Sequence, residues 1–245
     1  MTDNKASSGL GETVRTIVYA LLIALSVRTF AYQPFNIPSG SMIPTLLEGD
    51  FLFVSKFSYG YSKHSVAFGL PLFDGRILNS TPERGDVIVF KLPSDPSQTY
   101  IKRLIGLPGD RIKVSGGILH INGKPVLREP TGAQQEETGP TRRYAAVRYA
   151  ETLPNGRVHD ILEFTDSGSG DNTPDFVVPE KSYFMMGDNR DNSSDSRFDV
   201  GFVNEEFLIG RAEVIWFSLG EDTRFWQIWK WPWAIRYDRL FTGID

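Results

Sequence analysis

Twelve uncharged residues near the start of the chain, TIVYALLIALSV between Arg15 and Arg28, constrain the fold before any other feature. Twelve helical residues span about 18 Å, short of the ~30 Å hydrocarbon core of a bilayer. Both arginines can snorkel toward headgroups, however, and no charge follows Arg28 until Glu48. Residues 13–31 therefore read as one transmembrane anchor of 19 residues. Lys5 and Arg15 lie before or at its start, and only Arg28 lies near its far end. That bias puts residues 1–12 in the cytoplasm and residues 32–245 on the exported side. Two readings compete. One is a cleaved signal peptide, with Thr29-Phe30-Ala31 as a small-x-small site; the other is a buried core helix.

The remaining composition is that of a globular protein. A net charge of -4 over 245 residues lacks the basic excess of a nucleic-acid binder. Cysteine is absent, which excludes disulfides, thiol catalysis and cysteine metal sites and leaves the compartment open. Twenty-three glycines and fifteen prolines suit a turn-rich β protein.

The pattern after Ala31 is mostly β. FLFVSK (51–56), DVIVFKL (86–92), YIKRLI (100–105), RIKVS (111–115) and EVIWFS (213–218) are short runs rich in β-branched and aromatic residues. Asn122-Gly123 between two apolar runs predicts a two-residue hairpin. Residues 129–175 change texture, with GAQQEETGP and DSGSGDNTPD flanking VRYAETL and VHDILEF. They read as a β-rich insertion subdomain, the kind of polar segment that is usually a surface excursion. The acidic spacing in residues 166–175 is wrong for a calcium loop, and neither a metal nor a cofactor is expected.

The chemistry starts from IPSGSMIPTL (37–46), which sets two serines around a glycine between prolines. A serine nucleophile needs a base, most often histidine. His64 lies in a loop-like stretch, His120 abuts the Asn-Gly hairpin and His159 sits in a polar strand beside Asp160. None has the neighbours of a catalytic base. Lys102 is the alternative. Strand alternation places it on one face with Tyr100 and Leu104, company that disfavours an ammonium. Lowering its pKa by about three units costs about 4 kcal/mol, a cost tolerated where the neutral amine is used. A snorkelling surface lysine is the competing reading of this strand taken alone. A third stretch, GDNRDNSSDSR (187–197), is too polar for core and reads either as a solvated loop or as a scaffold. In the scaffold, Asp188 and Asp195 pair with Arg103, Arg190 or Arg197.

Together, IPSGSMIPTL, RGDVIVFK, YIKRLIGLPGD and MMGDNRDNSSDSR, in this order behind a membrane segment, resemble the signature boxes of bacterial type I signal peptidases. The resemblance covers most of residues 33–211 and is weakest at 129–175. It implies a signal-peptidase-like antiparallel β fold, and a Ser-Lys dyad that removes signal peptides from exported preproteins at the outer face of the bacterial inner membrane. The nucleophile falls on Ser41 and the general base on Lys102. The oxyanion hole falls on the Ser41 N–H and the Ser39 hydroxyl. Met42 matches a position close to the lysine, and Ser193 matches the serine that orients its amine. Asp188, Asp195, Arg197 and Arg103 match a supporting salt-bridge set. Gly187 matches a glycine that keeps the lysine side accessible. The chain departs from the family pattern after Arg197, where Phe-Asp-Val-Gly is one residue longer than the common form.

Near the C-terminus, FWQIWKWPWAIRYDRLF holds Trp226, Trp229, Trp231 and Trp233 with Lys230, Arg236 and Arg239. Such amphipathic aromatics suit either the lipid interface or packing on the β core. The rival functions are a Ser-Lys protease of other specificity and an inactive, membrane-tethered β module for binding.

Overall fold

The computed structural model describes residues 6–65, 75–138, 143–220, 223 and 225–244. The apolar segment forms helix α1 (Ala6–Phe30), of which Gly11–Phe30 is long and apolar enough to cross a membrane. Val14, Ile17, Leu21, Leu22 and Ile23 are all exposed around it, so it is not a buried core helix. The hydroxyls of Thr13, Thr16 and Ser26 donate to the carbonyls of Gly9, Glu12 and Leu22. Those bonds satisfy the groups that hydrocarbon would otherwise leave unpaired.

Strand β1 (Tyr32–Asn36) follows α1 almost at once and pairs with β2 (Asp50–Ser55). The helix foot is tied to this sheet, because Lys56 N–H donates to Ala31 O at 2.9 Å and Tyr61 Oη to Phe30 O at 2.5 Å. Two short strands, β3 (Tyr61–Ser62) and β4 (Arg76–Ile77), pair beside it. The chain then enters a hairpin of β5 (Val87–Leu92) and β6 (Asp95–Gly106). Next come β7 (Arg111–Ser115), β8 (Ile118–Ile121) and β9 (Lys124–Pro125). Asn122 and Gly123 both have positive φ, +55° and +77°, the tight turn that their dipeptide predicts.

Residues 129–175 fall largely in β10 (Leu127–Thr138), β11 (Arg143–Thr152) and β12 (Val158–Glu163), an antiparallel three-stranded sheet. Strands β13 (Phe176–Val177), β14 (Ser182–Met186), β15 (Val203–Asn204), β16 (Leu208–Ser218) and β17 (Thr242–Gly243) complete the molecule. The main sheet runs β1-β2-β16-β5-β6-β14-β15, with β17 also on β16, and every pair in it is antiparallel. The insertion is not a detached surface excursion. Leu162 N–H donates to Asp188 O and Arg190 N–H to Leu162 O, both at 2.9 Å, so β12 is stitched to the polar loop after β14.

Three apolar clusters cover the sheet. One gathers Ile37, Met42, Leu46, Val87 and Ile215, with Ile101 and Ile244 packed on it. A second holds Ile88, Phe90, Leu104 and Met185, and a third Ile105, Ile112, Phe184 and Met186. The C-terminal aromatics divide between two surroundings. Phe225 and Trp231 pack against Phe217, while Trp226, Trp229 and Trp233 are 64%, 64% and 86% exposed.

Phe184 is fully buried and touches the rings of Phe176 and Phe202. Phe184→Ala is expected to destabilise the protein by about 3–5 kcal/mol, read from denaturant unfolding in detergent micelles.

Candidate active site

Ser41 lies in a 3-10 turn (Gly40–Met42) that bulges between β1 and β2. Both ends of the bulge are pinched. Ile37 N–H donates to Asp50 O at 2.8 Å, and Gly49 N–H to Ile37 O at 3.0 Å. Met42, fully buried in the first cluster, anchors the turn, while Ser41 stays partly open to solvent. Ser39 precedes the turn with extended backbone (φ −143°, ψ 149°) and is exposed. The first N–H groups of a helical turn have no partner within it, which leaves Ser41 N–H available to an incoming oxygen.

Lys102 comes from β6, where it opposes Ile88. Its Nζ is 2.6 Å from Ser41 Oγ and donates to Ile101 O at 3.0 Å, with the Tyr100 ring centroid 5.5 Å away. Only 3% of the residue is exposed. Burial is the main reason that its pKa falls from the usual lysine value to about 8; the negative charges of Asp195 and Asp188 act the other way. At pH 7 a pKa of about 8 leaves about a tenth of the amine neutral, several-hundred-fold more than for a free lysine.

The polar stretch 187–197 is a buried scaffold. Asp188 accepts from Arg103 Nε at 2.9 Å and Nη2 at 2.8 Å, and from Thr45 Oγ1 at 2.6 Å. Burial alone would raise the Asp188 carboxyl, but Arg103 beside it holds it well below the usual carboxylate range. Asp195 accepts from Arg197 Nε at 3.0 Å and Nη2 at 2.9 Å, and from Gly187 N–H at 3.0 Å. Arg190 pairs with neither aspartate. It forks onto Glu151 of the insertion, at 3.0 and 2.5 Å. Burial pushes the Glu151 carboxyl up, yet Arg190 overrides it and brings the pKa down to about 2.

Ser193 and Gly187 sit differently from what the resemblance implies. The Ser193 hydroxyl is buried and has no hydrogen-bond partner among the described residues, so the orienting bond to Lys102 is not formed in this arrangement. A Cβ on Gly187 would lie 2.3 Å from Ser193 Oγ and 2.5 Å from Ser41 O. The glycine therefore lets Ser193 and the Ser41 turn close on each other, and the first obstacles are these atoms rather than the lysine.

Four residues that carried no role in the sequence reading belong to the same framework. Asn189 N–H donates to Ser41 O at 3.2 Å and its Nδ2 to Gly40 O at 3.1 Å, joining the scaffold to the Ser41 turn. Thr45 joins the far side of that turn to Asp188. His159 lies buried between Glu151, 3.1 Å from Nε2, and Asp188, 3.5 Å from Nδ1. Glu151 and His159 both come from the insertion, where a generic polar strand offers no signal; Asn189 and Thr45 lie inside the conspicuous motifs.

The family described as signal peptidase, peptidase S26, matches residues 10–217. Signal peptidase I of Rickettsia canadensis (strain McKiel) is 41% identical over 260 residues, covering 99% of this chain and 97% of that protein. Signal peptidase I of Rickettsia typhi (strain ATCC VR-144 / Wilmington) is 38% identical over 259 residues, with coverage of 99% and 97%. A solved signal peptidase I from Enterococcus faecalis V583 shares 27% identity and covers 54% of this chain and 97% of that one, at a TM-score of 0.32.

Two pH effects follow from Lys102. The unfolded chain holds this proton up to the ordinary lysine pKa of 10.5, the folded protein only to about 8. Stability therefore carries a penalty of about 3 kcal/mol below pH 8 that fades as pH rises toward 10.5. Hydrolysis that uses Lys102 as base should rise with pH and level off above about 8. Asp195→Asn removes a charge that favours the ammonium, so its rising limb should move to lower pH in a kcat/KM profile. An unmoved limb would show that Asp195 does not act on Lys102.

Proposed function

The chain belongs to the signal peptidase family, peptidase S26, and is a membrane-anchored serine endopeptidase that cleaves signal peptides; on that premise we propose that Ser41 is its nucleophile and Lys102 its general base. The observation that carries the proposal is the 2.6 Å contact between the buried Lys102 Nζ and the partly open Ser41 Oγ. Neutral Lys102 takes the Ser41 proton as Oγ attacks the scissile carbonyl. The oxyanion is received by Ser41 N–H and the Ser39 hydroxyl. The resulting ammonium then protonates the leaving amine. Neutral again, Lys102 draws a proton from the water that hydrolyses the acyl-enzyme.

Strand geometry favours an extended substrate beside the dyad. Strand β14 pairs with β6 only from Arg103 onward, which leaves Tyr100 to Lys102 without a strand partner on that side among the described residues. A preprotein segment adds a strand there, with small side chains at the first and third positions before the cut.

Residues 1–12 are then cytoplasmic, 13–31 the anchor and 32–245 the exported catalytic region on the periplasmic or extracytoplasmic side of the bacterial inner membrane. Exposed Trp226, Trp229 and Trp233 rest in the lipid interface beside that anchor.

Two experiments test these assignments. Ser41→Ala and Lys102→Ala should each abolish preprotein processing in detergent, with at least a 10³-fold loss in kcat and the unfolding transition retained. Full activity in either variant overturns the dyad. In proteoliposomes, brominated lipids should quench tryptophan fluorescence, and less so in a Trp229→Phe, Trp233→Phe double variant. Equal quenching in both proteins removes the C-terminal aromatics from the bilayer.

A further inference from the structure

The nucleophile turn is held from a direction that none of the signature motifs supplies. Arg239, in a 3-10 turn (Tyr237–Arg239) after the tryptophan cluster, reaches back to the C-terminal leg of the Ser41 bulge. Its Nη2 donates to Thr45 O at 3.0 Å and to Asp50 Oδ2 at 2.5 Å, and its Nε donates to Asp50 Oδ1 at 3.1 Å. Asp50 is fully buried, and it also accepts from Leu47 N–H at 2.8 Å and Ser218 Oγ at 2.7 Å. Arg236 supports the same leg through Glu48 O at 2.8 Å. Further along, Ile244 packs on the cluster that contains Met42.

Thr45 is the junction. Arg239 holds its carbonyl, and its hydroxyl donates to Asp188, whose carboxylate binds Arg103, the residue after Lys102. One threonine thus connects the C-terminal arm, the polar scaffold and the strand that carries the amine. Because a guanidinium is a rigid planar fork, one side chain can serve both Asp50 oxygens and the Thr45 carbonyl at once.

We infer that Arg239 is a positioning residue for the reaction: by clamping Thr45 and Asp50 it sets the position of the turn that presents Ser41 to Lys102. This rests on the Ser41–Lys102 assignment. Asp50 without Arg239 is a buried carboxylate lacking its cation, and the leg it organises relaxes. A shift of about 1 Å at a nucleophile is enough to lose about 10²-fold in rate.

The test uses the full chain in detergent, with peptide cleavage measured well below each variant's unfolding midpoint. Arg239→Ala is expected to lower kcat about 10- to 100-fold, leave KM within about twofold and leave the rising pH limb in place. Arg239→Lys keeps a charge opposite Asp50 but cannot reproduce the fork, so it should restore the unfolding midpoint more fully than kcat. If Arg239→Ala does not fold, Arg239→Lys carries the same readouts. Near-wild-type kcat in folded Arg239→Ala overturns the inference, as does a shifted pH limb, or parallel recovery of midpoint and kcat in Arg239→Lys. Ser41→Ala run alongside separates the two ideas: an active Ser41→Ala sinks the dyad, and an inactive one beside a fully active Arg239→Ala sinks only the clamp.

Discussion

A buried amine held 2.6 Å from a hydroxyl is the constraint on which this molecule is built. Burial disfavours the ammonium, and burial is what two covered faces of a sheet deliver. Strand β6 lies between β5 and β14, and apolar clusters on both sides take Ile101, Leu104 and Ile105. A purely greasy niche would depress the amine further. Asp188 and Asp195 temper the effect, so that the amine stays near pKa 8 rather than falling further. The site is therefore a balance between loss of water and nearby negative charge, each supplied by a different part of the chain.

That balance requires carboxylates buried beside a lysine without their being drawn to pair with it. The structure solves this by giving each its own arginine, Arg103 for Asp188 and Arg197 for Asp195, and the insertion adds a third buried pair in Glu151 with Arg190. Removing one partner of such a pair costs far more than the pair contributes, because it strands a charge away from water. The polar scaffold is thus rigid for electrostatic reasons, and Asn189 and Thr45 pass that rigidity to the nucleophile turn.

Local chemistry made much of the fold legible. The runs at 51–56, 86–92, 100–105, 111–115 and 213–218 fall on β2, β5, β6, β7 and β16, and the Asn-Gly turn has the positive φ angles that its residues favour. Alternation in β6 also put Lys102 with Tyr100 and Leu104. What it could not show is that the opposite face is buried as well, since Arg103 is fully enclosed by a carboxylate from a distant segment. Glu151, His159 and Arg239 were illegible for the same reason. Each is an ordinary polar residue in its own neighbourhood and gains meaning only from contacts made across the fold. The insertion was legible as β-rich, yet its texture suggested surface, because neighbouring strands that bury a glutamate on β11 and a histidine on β12 still read as polar.

The closeness of Gly187 to Ser41 bounds how the chain can vary. Any side chain at this position would drive into the Ser41 carbonyl and the Ser193 hydroxyl. A larger residue there could be accommodated only by displacing the turn that carries Ser41, so drift at this buried position is coupled to the geometry of the site itself.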